Sequence, residues 1–224
     1  MSKRTKLKNR ELPYYTKGED IFNMVSHIVG ATFGLTAMIL CIIYAALRHN
    51  PWGVVSSCIY GTSLIIHYTL SSIYHGLNEN MGKKVLQVIT HCTVFYMIGC
   101  TYIPLLFCAV RPTHPVLCWI GFAYIWILCG IGITFASIDI ENYDTLSMVL
   151  YLVSGWSWLL LIKQLYEVLP LNCLVLIVIG GLIYTFGSIL YEKGKTKKYI
   201  HSVFHILAVI ASVVHFFAIV LYIV

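Results

Sequence analysis

His201-Ser202-Val203-Phe204-His205 stands just past the basic run Lys193, Lys195, Lys197 and Lys198, and it opens a stretch that is almost wholly apolar to Val224. About 20 consecutive apolar residues cross the hydrocarbon of a bilayer as a helix, so 200–223 reads as a transmembrane span. The two histidines at i and i+4 lie one above the other on a single helix face. That spacing lets both imidazoles reach one metal ion. Polar side chains within a membrane are expensive and mark function. The pair alone is a weak signal, and the rest of the chain decides whether a third ligand reaches the same depth.

The composition fits a chain built of such spans. Of 224 residues, 59% are hydrophobic and 11% charged, and the mean hydropathy is +0.82. A soluble domain carries about 25% charged residues. The chain therefore reads as an all-α polytopic membrane protein, since a barrel would show short alternating strands. Seven spans follow from hydropathy, at approximately 23–47, 53–75, 85–109, 115–137, 146–168, 170–190 and 200–223. Asn50-Pro51, the stretch 78–84, Arg111-Pro112, the stretch 139–144, Pro170 and the stretch 192–198 punctuate them. This divides the chain into a basic segment, 1–22, and a seven-helix membrane domain, 23–224. No repeat is evident, there is no room for a separate soluble domain, and the polar, basic N-terminus does not read as a cleaved signal peptide.

Seven spans place the termini on opposite sides. Lys3, Arg4, Lys6, Lys8, Arg10, Lys17, Lys83, Lys84, Lys193, Lys195, Lys197 and Lys198 fall on one side, and only Arg48, Arg111 and Lys163 on the other. By the positive-inside rule the N-terminus is cytoplasmic and the C-terminus external. The net charge of +6 thus reads as orientation and contact with anionic headgroups, not nucleic acid. The eight cysteines all fall in apolar segments without a CxxC pair, and read as small buried hydrophobes.

Topology then sorts the nine histidines. His201, His205, His75, His91 and His27 gather near the cytoplasmic end of four spans. His49 and His114 fall in outer loops. His215 lies about 15 Å beyond His205, and His67 about 12 Å from His75 toward the membrane centre, at 1.5 Å per residue. A lone intramembrane histidine is often simply hydrogen-bonded across helices; that competes with a functional role for His27 and His91, and is preferred for His67 and His215. His75, His201 and His205 together give three neutral imidazoles with an open position, the layout of a catalytic zinc site. Cys92 is the sole thiol in that layer, so zinc is the natural ion. Ser71 lies four residues before His75, and Asn23 four before His27. Glu19 and Asp20 sit just below, where carboxylates also cap a helix and offset its dipole.

These residues carry a family likeness. The chain resembles the haemolysin III family, the bacterial branch of the progestin and adipoQ receptor superfamily, from Glu19 to the C-terminus. The motifs are Glu19-Asp20-x-x-Asn23-x-x-Ser26-His27-x-x-Gly30, Ser71-Ser72-Ile73-Tyr74-His75, His91 with Gly99 to Pro104, Gly155-Trp156, Gly180 to Gly187, and His201-x-x-x-His205 with His215-Phe216. The resemblance implies a seven-helix fold in the plasma membrane with zinc on His75, His201 and His205. It also implies kinship with membrane hydrolases that share a serine, an aspartate and three histidines. Ser71 matches the serine. The acidic residue expected directly before His91 is Thr90 here, which cannot act as a base at neutral pH. Glu19, Asp20 and His91 are the nearest substitutes.

Two functions are therefore expected side by side. One is a zinc-dependent hydrolase of a lipid amide or ester, with Ser71 and His91 as its catalytic candidates and membrane lipid as its partner. The other is a non-enzymatic lipid-responsive sensor or membrane-homeostasis factor with structural zinc. The family name adds a pore-forming cytolysin, which seven obligatory spans disfavour.

Overall fold

The computed structural model describes residues 4–224, so Lys3 lies outside it. Among the described residues there is no strand, and seven helical stretches are long and apolar enough to cross a membrane. They are α1 (Lys17–Leu47), α2 (Pro51–Gly76), α3 (Met81–Pro104, continued to Val110 by a π-helical turn), α4 (Pro115–Ile138), α5 and α6 (Asp144–Trp156 and Ile162–Val168, joined by a 3₁₀ turn), α7 (Leu171–Gly194) and α8 (Ile200–Tyr222). The chain is a multi-pass membrane protein.

The helices overrun the hydropathy-based spans for local reasons. α1 begins at Lys17 because Thr16 and Glu19 form a capping box, in which each side chain satisfies the other's backbone N–H. Asn50 caps α2 ahead of Pro51, whose ring suits the first turn. Asn80 caps α3 through Lys83 N–H.

Two interruptions have visible causes. Pro104 has no N–H to give to the α3 ladder, and the π-helical turn follows it directly. The fifth span breaks after Trp156, where the Tyr102 hydroxyl enters its ladder. That hydroxyl donates to Ser154 C=O (2.8 Å) and accepts from Trp158 N–H (3.0 Å).

Close packing of α1 on α2 sets the frame. The buried stripe of α1 runs Glu19, Asn23, His27, Gly30, Gly34, Ala37, Cys41, Ala45, a spacing of three and four that keeps small and polar residues inward. Opposite it, Gly61 of α2 is so close that an added Cβ would lie 2.9 Å from Met38 Cα. A Cβ on Gly30 would lie 2.8 Å from the Tyr68 ring. α2 carries a row of buried polar groups, among them Ser56, Tyr60, Ser63, His67, Ser71 and His75. Trp52, Val55, Ile66 and Ile73 of α2 face outward, where lipid would meet them.

The segment before α1 is tied down across the same face. Asp139, in the α4–α5 loop, accepts Thr5 N–H (2.7 Å) and the Asn142 amide (2.8 Å). Arg10 and Arg4 donate to Ile138 C=O at 2.7 and 3.1 Å. Burial would raise the Asp139 carboxyl, but the N–H groups of Thr5 and Asn142 and the charge of Arg10 hold it below the usual carboxylate range. The strap so formed carries Pro13 and Tyr15 to the mouth of the interior cavity.

Candidate metal centre

Three helix ends converge below that strap. α2 delivers His75 in its last turn, and α8 delivers His201 and His205 in its first two turns. The start of α8 is held firmly. Tyr199, just before it, sits in the left-handed region (φ 60°), where a side chain is strained. Glu19 accepts the Tyr199 N–H at 2.6 Å and so ties the N-terminus of α1 to that of α8. Gly194 closes the turn from α7, since a Cβ there would lie 2.6 Å from His201 N.

His75, His201 and His205 are all buried, and one nitrogen from each lies within 4.8 Å of the others. The nitrogen chemistry selects which one. His75 Nδ1 bonds Asp20 Oδ1 at 2.9 Å, so its Nε2 is the free lone pair. His205 Nε2 lies 2.9 Å from His201 Nε2. Bonds of about 2.0–2.1 Å to one tetrahedral ion put ligand nitrogens about 3.4 Å apart, so small side-chain shifts suffice. The cluster can hold a metal ion. It has three nitrogen donors, and the structure brings neither a thiol nor a carboxylate among them. Cys92 turns away to Ser137 on α4 (3.3 Å).

The surroundings orient these rings. Asp20 is held on its other oxygen by Lys83 Nζ at 3.2 Å. The resulting order, ammonium to carboxylate to imidazole, fixes the tautomer that leaves His75 Nε2 free, as the partners of metal-ligating histidines usually do. Tyr15 stacks on His201 with ring centroids 4.8 Å apart, and Tyr191 and Tyr74 flank His201 and His75 at 5.5 and 4.7 Å. Reading the sequence alone misses both Tyr15 and the bond from Asp20 to His75. The available signal for Asp20 was its place in the first turn of a helix that starts at the depth where α2 ends.

The other candidate residues take distinct places. His27 meets His205, with His27 Nε2 2.6 Å from His205 Nδ1. Asn23 is buried one turn earlier, with neither side-chain polar atom hydrogen-bonded. Ser71 lines the cavity beside His75. Thr90 also lines it, but its hydroxyl donates to Gln87 C=O at 2.9 Å within α3. His91 lines the cavity outside the three-nitrogen cluster, 6.2 Å from the Tyr191 ring. His67 Nδ1 donates to Thr93 Oγ1 (3.0 Å), because that hydroxyl gives its own proton to Thr90 C=O. His215 bonds Ile177 C=O at 3.2 Å. Of the three candidate substitutes for the missing acid, two are engaged, Asp20 by His75 and Lys83 and Glu19 by Thr16 and Tyr199, while His91 lines the cavity.

From the cluster a cavity of about 220 Å³ runs between α2, α3, α5, α7 and α8 as far as Tyr102, Trp156 and His215. Along α8 this covers about 21 Å, from His201 to His215. Past the histidines its walls are mainly apolar, with Val94, Met97, Ile98, Leu152 and Ala208 among them.

Comparison with known proteins agrees with this architecture. A family model described as "Haemolysin-III related" matches residues 15–216. The chain is 30% identical to the Hemolysin-3 homolog of Bacillus subtilis (strain 168) over 208 residues, 93% of this chain and 96% of that protein. It is 29% identical to Hemolysin-3 of Bacillus cereus over 205 residues, 92% of each. It is 24% identical to the Monocyte to macrophage differentiation factor of Homo sapiens over 189 residues, 80% of this chain and 76% of that protein. The matched residues reach into all seven membrane-spanning stretches and cover the three-histidine cluster, so the chain belongs to the haemolysin-III related family.

Proposed function

We propose that the protein is a zinc-dependent hydrolase of lipid amides or esters that works within the plasma membrane, near its cytoplasmic face. One observation carries this reading: three imidazoles converge at the end of an apolar cavity enclosed by membrane-spanning helices. The all-nitrogen donor set suits zinc. A zinc ion held by His75, His201 and His205 would polarise a carbonyl and acidify a water molecule. The chain's own residues do the rest. The apolar walls bind a hydrocarbon chain so that its polar linkage stops at the histidines. Ser71 offers a hydroxyl beside His75 to orient that linkage. Tyr15 closes the mouth toward the strap and keeps bulk water out. The excess of loop Lys and Arg on the strap side supports a cytoplasmic position for it.

A second reading is favoured by the carboxylates. Position 90 is a threonine, and Asp20 and Glu19 are already bonded, so among the described residues no carboxylate faces the cavity, and of the three candidate substitutes only His91 lines it. On this reading zinc is structural and the cavity senses a lipid without cleaving it. Pore formation, suggested by the names of the Bacillus relatives, ranks behind both. The described helices surround a mainly apolar cavity that Tyr15 helps to line.

The test is release of fatty acid from a panel of lipid amides and esters by purified protein in vesicles. Release by the wild type and its loss in His75→Ala supports the hydrolase. Equal release by both proteins sinks it, and no release by a zinc-loaded wild type favours the sensor.

A further inference from the structure

Every metal ligand must keep its lone pair turned toward the ion, and His205 faces a special difficulty in doing so. Both of its nitrogens meet other imidazoles. Nε2 is 2.9 Å from His201 Nε2, and Nδ1 is 2.6 Å from His27 Nε2. Two imidazole nitrogens this close need either a proton or a cation between them. With an ion held by the Nε2 atoms, a neutral His205 has its one proton on Nδ1. The contact with His27 is then a hydrogen bond in one direction: His205 Nδ1–H donates and His27 Nε2 accepts.

We infer that His27 is a positioning residue of the metal centre, the acceptor that fixes the tautomer and orientation of His205. The inference rests on the reading of the three-histidine cluster as a zinc site. It makes His27 for His205 what Asp20 is for His75, so two of the three ligands are held from behind. An independent feature fits. If His27 Nε2 accepts, its proton lies on Nδ1, and that atom is buried without a protein partner. One turn earlier on the same buried face, Asn23 Oδ1 is also buried and unpartnered. Residues four apart on a helix have Cβ atoms about 5–6 Å apart, near enough for the two groups to pair by a rotamer change or through one water. The His27 ring packs at 4.0 Å from the His205 ring and edge-on to Tyr68 at 4.9 Å, so its place is well defined. The structure gives His27 no other hydrogen-bonded partner among the described residues.

The experiment compares zinc affinity of full-length protein, by competition with a chelator, for wild type, His27→Leu and His27→Gln. Loss of a partner behind a metal ligand typically weakens binding 10- to 100-fold. Leucine keeps bulk but removes the acceptor, and we expect a loss in that range. Glutamine places a carbonyl oxygen near the position of Nε2, and we expect affinity within a few-fold of wild type. Wild-type affinity in His27→Leu overturns the inference while leaving the zinc site standing. Equal weakening in both variants also overturns it, since packing and not the acceptor then matters. A wild type that binds no zinc removes the metal reading itself, and the inference with it.

Discussion

His201→Ala combined with His205→Ala is expected to abolish zinc binding, taking the purified protein from about one zinc per chain to a background level. Structural zinc sites with four protein ligands bind with about 10–16 kcal/mol at neutral pH. Removing two of the three ligands should therefore weaken binding by more than about 10³-fold, at 1.4 kcal/mol per tenfold. The remaining His75, although held by Asp20, is a single imidazole. The variant should still fold. His205 does reach α1 through His27, but beyond Ile206 α8 is apolar apart from Ser212 and His215 and keeps its packing on α7 and α1. Its main local penalty is His27 Nε2 left without a partner, about 1–3 kcal/mol for a buried polar group. Elemental analysis of wild type and variant, both monodisperse in detergent, checks the result. Undiminished zinc in the variant would mean that the ion binds elsewhere in the chain.

Much of this architecture is legible in the sequence because membrane insertion leaves few options. Backbone groups in hydrocarbon must pair within a helix, so long apolar runs read directly as spans, and all seven appear as helices. The depth of the histidines follows in turn. Helix direction alternates and each residue rises 1.5 Å, so His75 and His201 can be set at one level before any contact is known. What hydropathy cannot show is the rotation of each helix and the course of polar segments. The start of α1 at Lys17 depends on the Thr16–Glu19 box, which adds nothing to an apolar count. The break after Trp156 is caused by Tyr102, more than fifty residues away. Tyr15 carries no signal in the sequence, because nothing local predicts that the strap, pinned at Asp139, carries it over His201. His27 and His91 look equivalent in depth, yet only His27 meets a ligand of the cluster, because α1 turns one stripe toward α8 and α3 directs His91 toward Tyr191.

Thr90→Asp is expected to raise lipid hydrolysis by about 10²–10⁴-fold, the range that general-base assistance supplies. Position 90 lines the cavity together with Ser71, His75, His201 and His205. The threonine hydroxyl there is already bonded to Gln87 C=O, and its proton is not removable at neutral pH. An aspartate in its place would face the cavity. It would be free of the bonds that occupy Asp20 and Glu19, and ready to orient water and take its proton. Insertion experiments put a carboxylate at mid-membrane at about 2.5–3.5 kcal/mol. That cost falls near the membrane face and falls further beside a divalent cation, so the variant should remain folded when zinc is bound. Fatty-acid release in vesicles, measured alongside zinc content, gives the answer. A large gain would show that the centre is a hydrolase limited by one missing group. No gain in a zinc-loaded Thr90→Asp protein would mean that the geometry is not arranged for cleavage, and that the cavity and its histidines serve to bind lipid alone.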